Sequence, residues 1–267
     1  MKKIGFIGAG KMAEAIMTGL IDKAFTSADS ILASDISGDR LVDLSHRLGI
    51  RITLDNVEVV RQVGVVILAV KPQQLDEVLR AIAPQVTPAH LVVSIAAGKT
   101  TARIESLLPA GRVVRVMPNI ACLVGEGMNV FTRGARAPES DSIFVKGLLE
   151  CCGRALEMPE PQFDAVTALS GSGPAFFAYL LDRLVDGAVR EGLSRRDALL
   201  LAEQTMLGTA RMLQSRDMDP SELAAAVTST KGTTAAGREV LETPAMVAVL
   251  DRTIAAATQR SRDLGRA

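Results

Sequence analysis

The run Gly8-Ala9-Gly10-Lys11-Met12-Ala13 follows the apolar segment Ile4–Ile7 and opens a helical pattern. Its spacing is the GxGxxA form of the dinucleotide fingerprint. Gly8 permits the tight turn, Gly10 lets the backbone approach a pyrophosphate, and small Ala13 lets the helix pack on the strand. Free N–H groups at the positive helix end then hold phosphates. The cofactor-side residues of this turn are therefore Gly8, Ala9, Gly10, Lys11 and Met12. Asp35 lies 25 residues after Gly10, near the distance where an acid meets the adenosine ribose hydroxyls. A carboxylate there favours NAD and repels the extra phosphate of NADP. Ser34, Ser37 and Arg40 stand close enough to bind that phosphate, and Asp35 could equally cap a helix starting near Gly38. A second polar cluster, Thr228-Ser229-Thr230-Lys231-Gly232-Thr233-Thr234, precedes an Ala-rich helical pattern. It offers hydroxyls, N–H groups and a positive helix end, which suits a small carboxylate and exceeds what plain capping requires.

Missing groups narrow the reaction. The only tyrosine, Tyr179, is followed four residues on by Arg183, not by the lysine a short-chain dehydrogenase uses. Phe177 stands where the β-hydroxyacid dehydrogenases place a lysine after a Gly-Ser-Gly turn. His46 and His90 are each alone, which suits surface or satisfied core positions and no metal site. Hydride transfer without a strong protein acid or base suits an imine, whose nitrogen is basic enough to take its proton from solvent.

Elements must position these groups. The apolar runs Ile4–Ile7, Ile31–Ala33, Val65–Val70, Leu91–Ile95 and Val113–Met117 read as buried parallel strands. Helical patterns over Lys11–Asp22, Gly38–Leu48, Asn56–Val63, Gln73–Ile82 and Thr101–Leu108 alternate with them, which predicts a doubly wound sheet. Segments 127–132 and 155–158 add edge strands around a helix near 140–151. Ligands sit beyond the carboxyl ends of such strands, so Ala69-Val70-Lys71-Pro72 and Ala96-Ala97-Gly98 should flank the cofactor. Pro72 suits a helix first turn, and the small residues at 96–98 leave room for a flat nicotinamide ring. The texture changes at Pro159-Glu160-Pro161, giving a Rossmann-type dinucleotide-binding domain over 1–160 and an all-α dimerisation and substrate-binding domain over 161–267. Helices are expected there at about 162–169, 174–191, 195–214, 220–227, 234–242 and 245–263. The stretch Pro174–Met212 carries more apolar residues than two helices of a small domain can bury, so a partner subunit should cover them.

Lys plus Arg and Asp plus Glu each number 30, so no basic excess points to nucleic acid or an anionic membrane. No run of about 18 apolar residues predicts a membrane span. Cys122, Cys151 and Cys152 have neither framework nor zinc spacing and read as core residues of a reducing compartment. A cytoplasmic protein is the expectation.

The full set of motifs resembles the Δ1-pyrroline-5-carboxylate reductase family, end to end. The matching segments are Ile4–Gly10, Leu68–Pro72, Val92–Gly98, Arg115–Asn119, Leu169–Ala175 and Gly232–Thr234. That family's substrate loop is usually Ser-Pro-Gly-Gly-Thr-Thr, whereas Thr230 and Lys231 replace the proline and first glycine here. The resemblance implies reduction of 1-pyrroline-5-carboxylate to L-proline by NADP(H), with NAD(H) allowed by Asp35. It implies that N–H groups of Gly232, Thr233 and Thr234, with the Ser229 hydroxyl, hold the carboxylate, and that the Thr234 hydroxyl faces the ring nitrogen as the catalytic group. Ala69, Lys71, Ala96, Ala97, Gly98 and Asn119 would surround the nicotinamide half, and Asn56 the adenosine half. A homodimer, or a ring of dimers, is implied too. A reductase of another cyclic imino acid and a non-catalytic dinucleotide sensor are the alternatives; retention of Ser229 and Thr234 speaks against the sensor.

Overall fold

The computed structural model describes residues 2–266. Eight strands form one sheet: β1 (Ile4–Ile7), β2 (Ile31–Ser34), β3 (Arg51–Thr53), β4 (Val65–Leu68), β5 (Leu91–Ser94), β6 (Arg112–Met117), β7 (Gly127–Arg133) and β8 (Gly153–Glu157). Their order is β3-β2-β1-β4-β5-β6-β7-β8, and every neighbouring pair is parallel except β6 with β7. Helices α1 (Lys11–Asp22), α2 (Gly38–Leu48), α3 (Asn56–Gln62), α4 (Pro72–Ile82), α5 (Thr101–Leu107) and α6 (Glu139–Glu150) cover both faces. Alternate residues of one strand serve different layers: Val65 and Ile67 pack with Ile16 and Met17 of α1, while Val66 and Leu68 pack with Leu75 and Leu79 of α4. Burial on both faces is why the central strands are continuous apolar runs rather than alternating ones. The expected strands thus appear, β4 and β5 ending one or two residues early. β3 was not foreseen, being three residues at the sheet edge with Arg51 and Ile52 exposed.

The chain divides into two compact units, the first running to Ser172 and taking in the chain again from Ala257, the second covering Gly173–Ala256. The change of texture at Pro159-Glu160-Pro161 lies within the first of these units. Glu160 accepts from Thr101 N (2.8 Å), Thr101 Oγ1 (2.7 Å) and Arg115 Nη1 (3.0 Å). Phe163 and Val166 of α7 (Phe163–Val166) then join a small core with Val130. A wider π-helical turn, Thr167–Gly171, follows, and a side chain on Gly171 would meet Met117 at 2.6 Å. That atom is the terminal methyl of a flexible side chain, which could move aside.

The second unit is helical: α8 (Gly173–Arg190), α9 (Arg195–Arg216), α10 (Pro220–Ala226), α11 (Thr233–Leu241) and the start of α12 (Pro244–Arg266). Ser194 caps α9, accepting from the N–H of Asp197, and Asp219 with Glu222 forms a capping box on α10. Between α8 and α9 runs an apolar groove lined by Phe177, Leu181, Leu184, Leu201 and Met206. Phe177, Leu184, Leu200 and Leu201 are more than half exposed in the single chain, a surface that asks for a protein cover. Among the described residues no helix is long and apolar enough to cross a membrane.

Candidate functional site

In the first unit, β1 feeds β2 on one side while β4 lies on the other, so the crevice beyond β1 and β4 is the topological switch point of the sheet. Gly8 closes β1 with φ +96°, and an added Cβ would lie 2.7 Å from the carbonyl carbon and oxygen of Ala69. Only glycine satisfies both conditions. Gly10 is the N-cap of α1 in extended conformation, with no side-chain cap and nothing within 4 Å of an added Cβ. Its open face and the uncapped N–H groups behind it fit an approaching pyrophosphate. Ala13 is fully buried under the helix, as close helix–strand packing requires.

The ribose corner differs from expectation in three ways. Asp35 is not the N-cap of α2; Ser37 is. The Asp35 carboxylate instead accepts from Ala9 N (2.7 Å) and Ser37 N (2.9 Å). The Ala9 amide is thereby engaged within the protein and is not a free phosphate donor. Second, Ser34 is buried, its hydroxyl donating to Asn56 Oδ1 (2.7 Å), so it positions Asn56 and cannot reach a phosphate itself. Third, Arg40 is already held: its Nε donates to Ala9 O (3.0 Å), Nη2 bonds Glu14, and Nη1 lies 3.5 Å from Asp43. Arg47 joins the same two acids, 2.6 Å from Glu14 and 2.8 Å from Asp43. Burial alone would raise the Glu14 carboxyl, but hydrogen bonds from Arg40 and Arg47 outweigh it and hold the group below the usual carboxylate range.

Gly8, Gly10, Asp35, Asn56, Ala69, Val70 and Lys71 line one cleft of about 400 Å³. Ile36, Gln74, Glu77, Val78 and Ala81 line it too and were missed. Ile36 is 92% exposed, an apolar plate at the lip suited to a flat base; its signal was an isoleucine standing just past the end of β2. Lys71 caps α4 in front of Pro72, is exposed, and has no carboxylate within ion-pair distance among the described residues. Lys11 is exposed on the first turn of α1, and Met12 packs inward on the core. Ala96 is buried and Ala97 exposed, whereas Gly98 (φ +74°) lies against Gly265, 3.4 Å from an added Cβ. Asn119 donates to Ser170 O (3.2 Å) and accepts from Met128 N (3.2 Å), so it braces the end of β6.

In the second unit, the loop before α11 carries the carboxylate-binding candidates. Gly232 is the N-cap of α11, and any Cβ there would collide with Ser229 Oγ. The Gly232 N–H is not free: it donates to Ser229 O (3.0 Å). The open donors at this helix end are those of Thr233, Thr234 and Ala235, so Ala235 replaces Gly232 in the set. The first turn holds no acid. Neither the Ser229 nor the Thr234 hydroxyl has a partner among the described residues, and Thr234 is half-buried. Arg238 of α11 donates to Thr228 Oγ1 (3.0 Å), tying the loop to its helix. Lys231 adopts φ +60°, the left-handed region, at the position where the resembling family carries glycine. Lys231→Gly should therefore raise stability by about 1 kcal/mol, read as a higher urea midpoint at constant m-value. An unchanged or lower midpoint would show that the lysine makes compensating contacts.

His90 and the cysteines are held within the fold. His90 Nδ1 accepts from Thr87 N (2.9 Å), which leaves Nε2 to donate to Val60 O (3.1 Å). Cys122, Cys151 and Cys152 are free and buried. Cys122 Sγ donates to Asn129 Oδ1 (3.2 Å), and hydrogen bonding with Cys152 lowers the Cys122 thiol while raising its partner.

Residues 160–264 match the family model described as pyrroline-5-carboxylate reductase dimerisation, and residues 3–98 match that described as NADP oxidoreductase coenzyme F420-dependent. A pyrroline-5-carboxylate reductase of Methanosarcina acetivorans is 44% identical over 266 residues, covering 99% of this chain and 98% of the relative. The solved pyrroline-5-carboxylate reductase of Coxiella burnetii superposes with a TM-score of 0.94 at 32% identity, covering 98% of each chain. A pyrroline carboxylate reductase of Plasmodium falciparum, solved with NADP bound, gives 0.86 at 28% identity, covering 99% of this chain and 98% of the other.

Proposed function

The chain belongs to the pyrroline-5-carboxylate reductase family, and we propose that it reduces 1-pyrroline-5-carboxylate to L-proline with NAD(P)H. The observation that carries this reading is the end of α11: three uncapped N–H groups, no acid in the first turn, and two unpartnered hydroxyls at Ser229 and Thr234. A carboxylate on those donors gains charge-assisted hydrogen bonds and the helix dipole. The same molecule then presents its ring nitrogen to the hydroxyl of Thr234. This hydroxyl orients the protonated imine and stabilises the proton on nitrogen while the C=N carbon becomes tetrahedral.

The residues of the first unit fit a dinucleotide. Gly8 and Gly10 leave the space for a pyrophosphate, Asp35 and Asn56 face the adenosine half, and Ala69, Val70 and Lys71 wall the cleft. When bound, NAD(P)H supplies the hydride that the imine carbon accepts. The protein need supply no strong acid, because the imine nitrogen is far more basic than a carbonyl oxygen.

The helical region assembles copies of the chain into a homo-oligomer. We assign a homodimer to the exposed apolar residues of α8 and α9, and a ring of such dimers as its larger form. The three reduced thiols suit the cytoplasm. The test is oxidation of NADPH and NADH on addition of 1-pyrroline-5-carboxylate, with proline as product. Absence of turnover with either cofactor, in folded protein, overturns the reading; faster turnover with a six-membered cyclic imine would move it to another imino acid.

A further inference from the structure

Glu14 lies on α1, one turn beyond the phosphate-binding glycines, and nothing in the fingerprint requires an acid there. Its carboxylate takes the Nη2 of Arg40 and, at 2.6 Å, the Nη1 of Arg47. Asp43 pairs with the other terminal nitrogen of each guanidinium, Nη1 of Arg40 and Nη2 of Arg47. The Glu14 carboxylate is only 19% exposed, so water screens this pairing weakly. Arg40 is also fastened through Nε to the carbonyl of Ala9, inside the dinucleotide turn. It is thus held beside the ribose corner with its remaining fork edge covered by carboxylates. Asp35, Glu14 and Asp43 against Arg40 and Arg47 leave this corner one negative charge in excess.

We propose that Glu14 sets the nucleotide selectivity of this chain by occupying the guanidinium edge of Arg40 that a ribose 2′-phosphate needs. Guanidinium donors form a planar fork that pairs with a carboxylate or a phosphate, but one edge serves one partner at a time. A 2′-phosphate must displace Glu14, whereas 2′ and 3′ hydroxyls, met by Asp35, need no such exchange. Glu14 is a positioning residue: it touches Arg40, not the nucleotide. The inference rests on the reading of the cleft as an NAD(P)H site.

The experiment compares binding of 2′,5′-ADP and ADP by calorimetry, which needs no turnover. Glu14→Gln should raise the affinity ratio of 2′,5′-ADP to ADP about 10-fold, or about 1.4 kcal/mol. In an Arg40→Ala background the same substitution should give no gain, because its effect passes through Arg40. A ratio unmoved by Glu14→Gln, or a gain that persists without Arg40, overturns the inference while leaving the reductase reading in place. Wild-type protein that binds neither nucleotide overturns both.

Discussion

Replacing Thr234 with valine is expected to lower kcat/KM for the imino acid by about 10- to 1000-fold. Valine keeps the branched shape of threonine and removes only the hydroxyl, so α11 should keep its first turn. That hydroxyl has no partner among the described residues and stands beside the open N–H groups of Thr233, Thr234 and Ala235. A hydrogen bond to a group carrying charge is worth roughly 1.5–3 kcal/mol, which sets the lower part of the range. Loss of the orientation that aims the iminium carbon at the hydride adds the upper part. Thr234→Ser, which retains the hydroxyl, should recover most of the rate. Steady-state kinetics on all three proteins, with thermal melts as a folding control, decides the matter. An unchanged rate in the valine variant would mean that the iminium needs no hydrogen-bond partner at this position.

Physical reasons separate what the chain discloses in one dimension from what it does not. β1, β4 and β5 are legible because burial on both faces demands an unbroken apolar run. β3 is not, because Arg51-Ile52-Thr53 forms a short edge whose side chains stay largely exposed and need no pattern. Pro159-Glu160-Pro161 marks a change of texture in the chain, but that Arg115 and Thr101 hold Glu160 between them is set only by the fold. At the site, Gly8, Gly10 and Asp35 are visible because backbone geometry dictates their spacing. Ser34 misleads because a polar residue at a strand end looks like a ligand, whereas its face of β2 is buried and its partner is Asn56. Glu14 and Arg47 leave no trace in the local sequence, since α1 and α2 bring them together only after folding. The exchange of Gly232 for Ala235 likewise depends on knowing that the turn uses the glycine N–H internally.

Neutralising Asp35 is expected to have the second-largest effect, on the choice between NADPH and NADH. Its carboxylate lines the nucleotide cleft and is fixed there by the amides of Ala9 and Ser37. Swinging away from an approaching phosphate costs it both hydrogen bonds. At about 5 Å and an effective dielectric near 20, one pair of like charges costs roughly 3 kcal/mol, or about 100-fold in affinity. Asp35→Asn keeps the shape and removes the charge; its one acceptor oxygen can still serve the Ala9 N–H, at the loss of the more exposed bond from Ser37 N. It should raise the NADPH-to-NADH ratio of kcat/KM by about 10- to 100-fold. Asp35→Ser should move the ratio the same way but also cost stability, because its short hydroxyl cannot reach both amides and leaves the N–H of buried Ala9 without an acceptor. Arg40→Ala should lower the ratio less than Asp35→Asn raises it, because Glu14 and Asp43 already occupy the guanidinium. A ratio that stays fixed when Asp35 loses its charge would mean that the carboxylate only braces the Ala9 turn, and that the selectivity of this corner resides in the arginine and its acids.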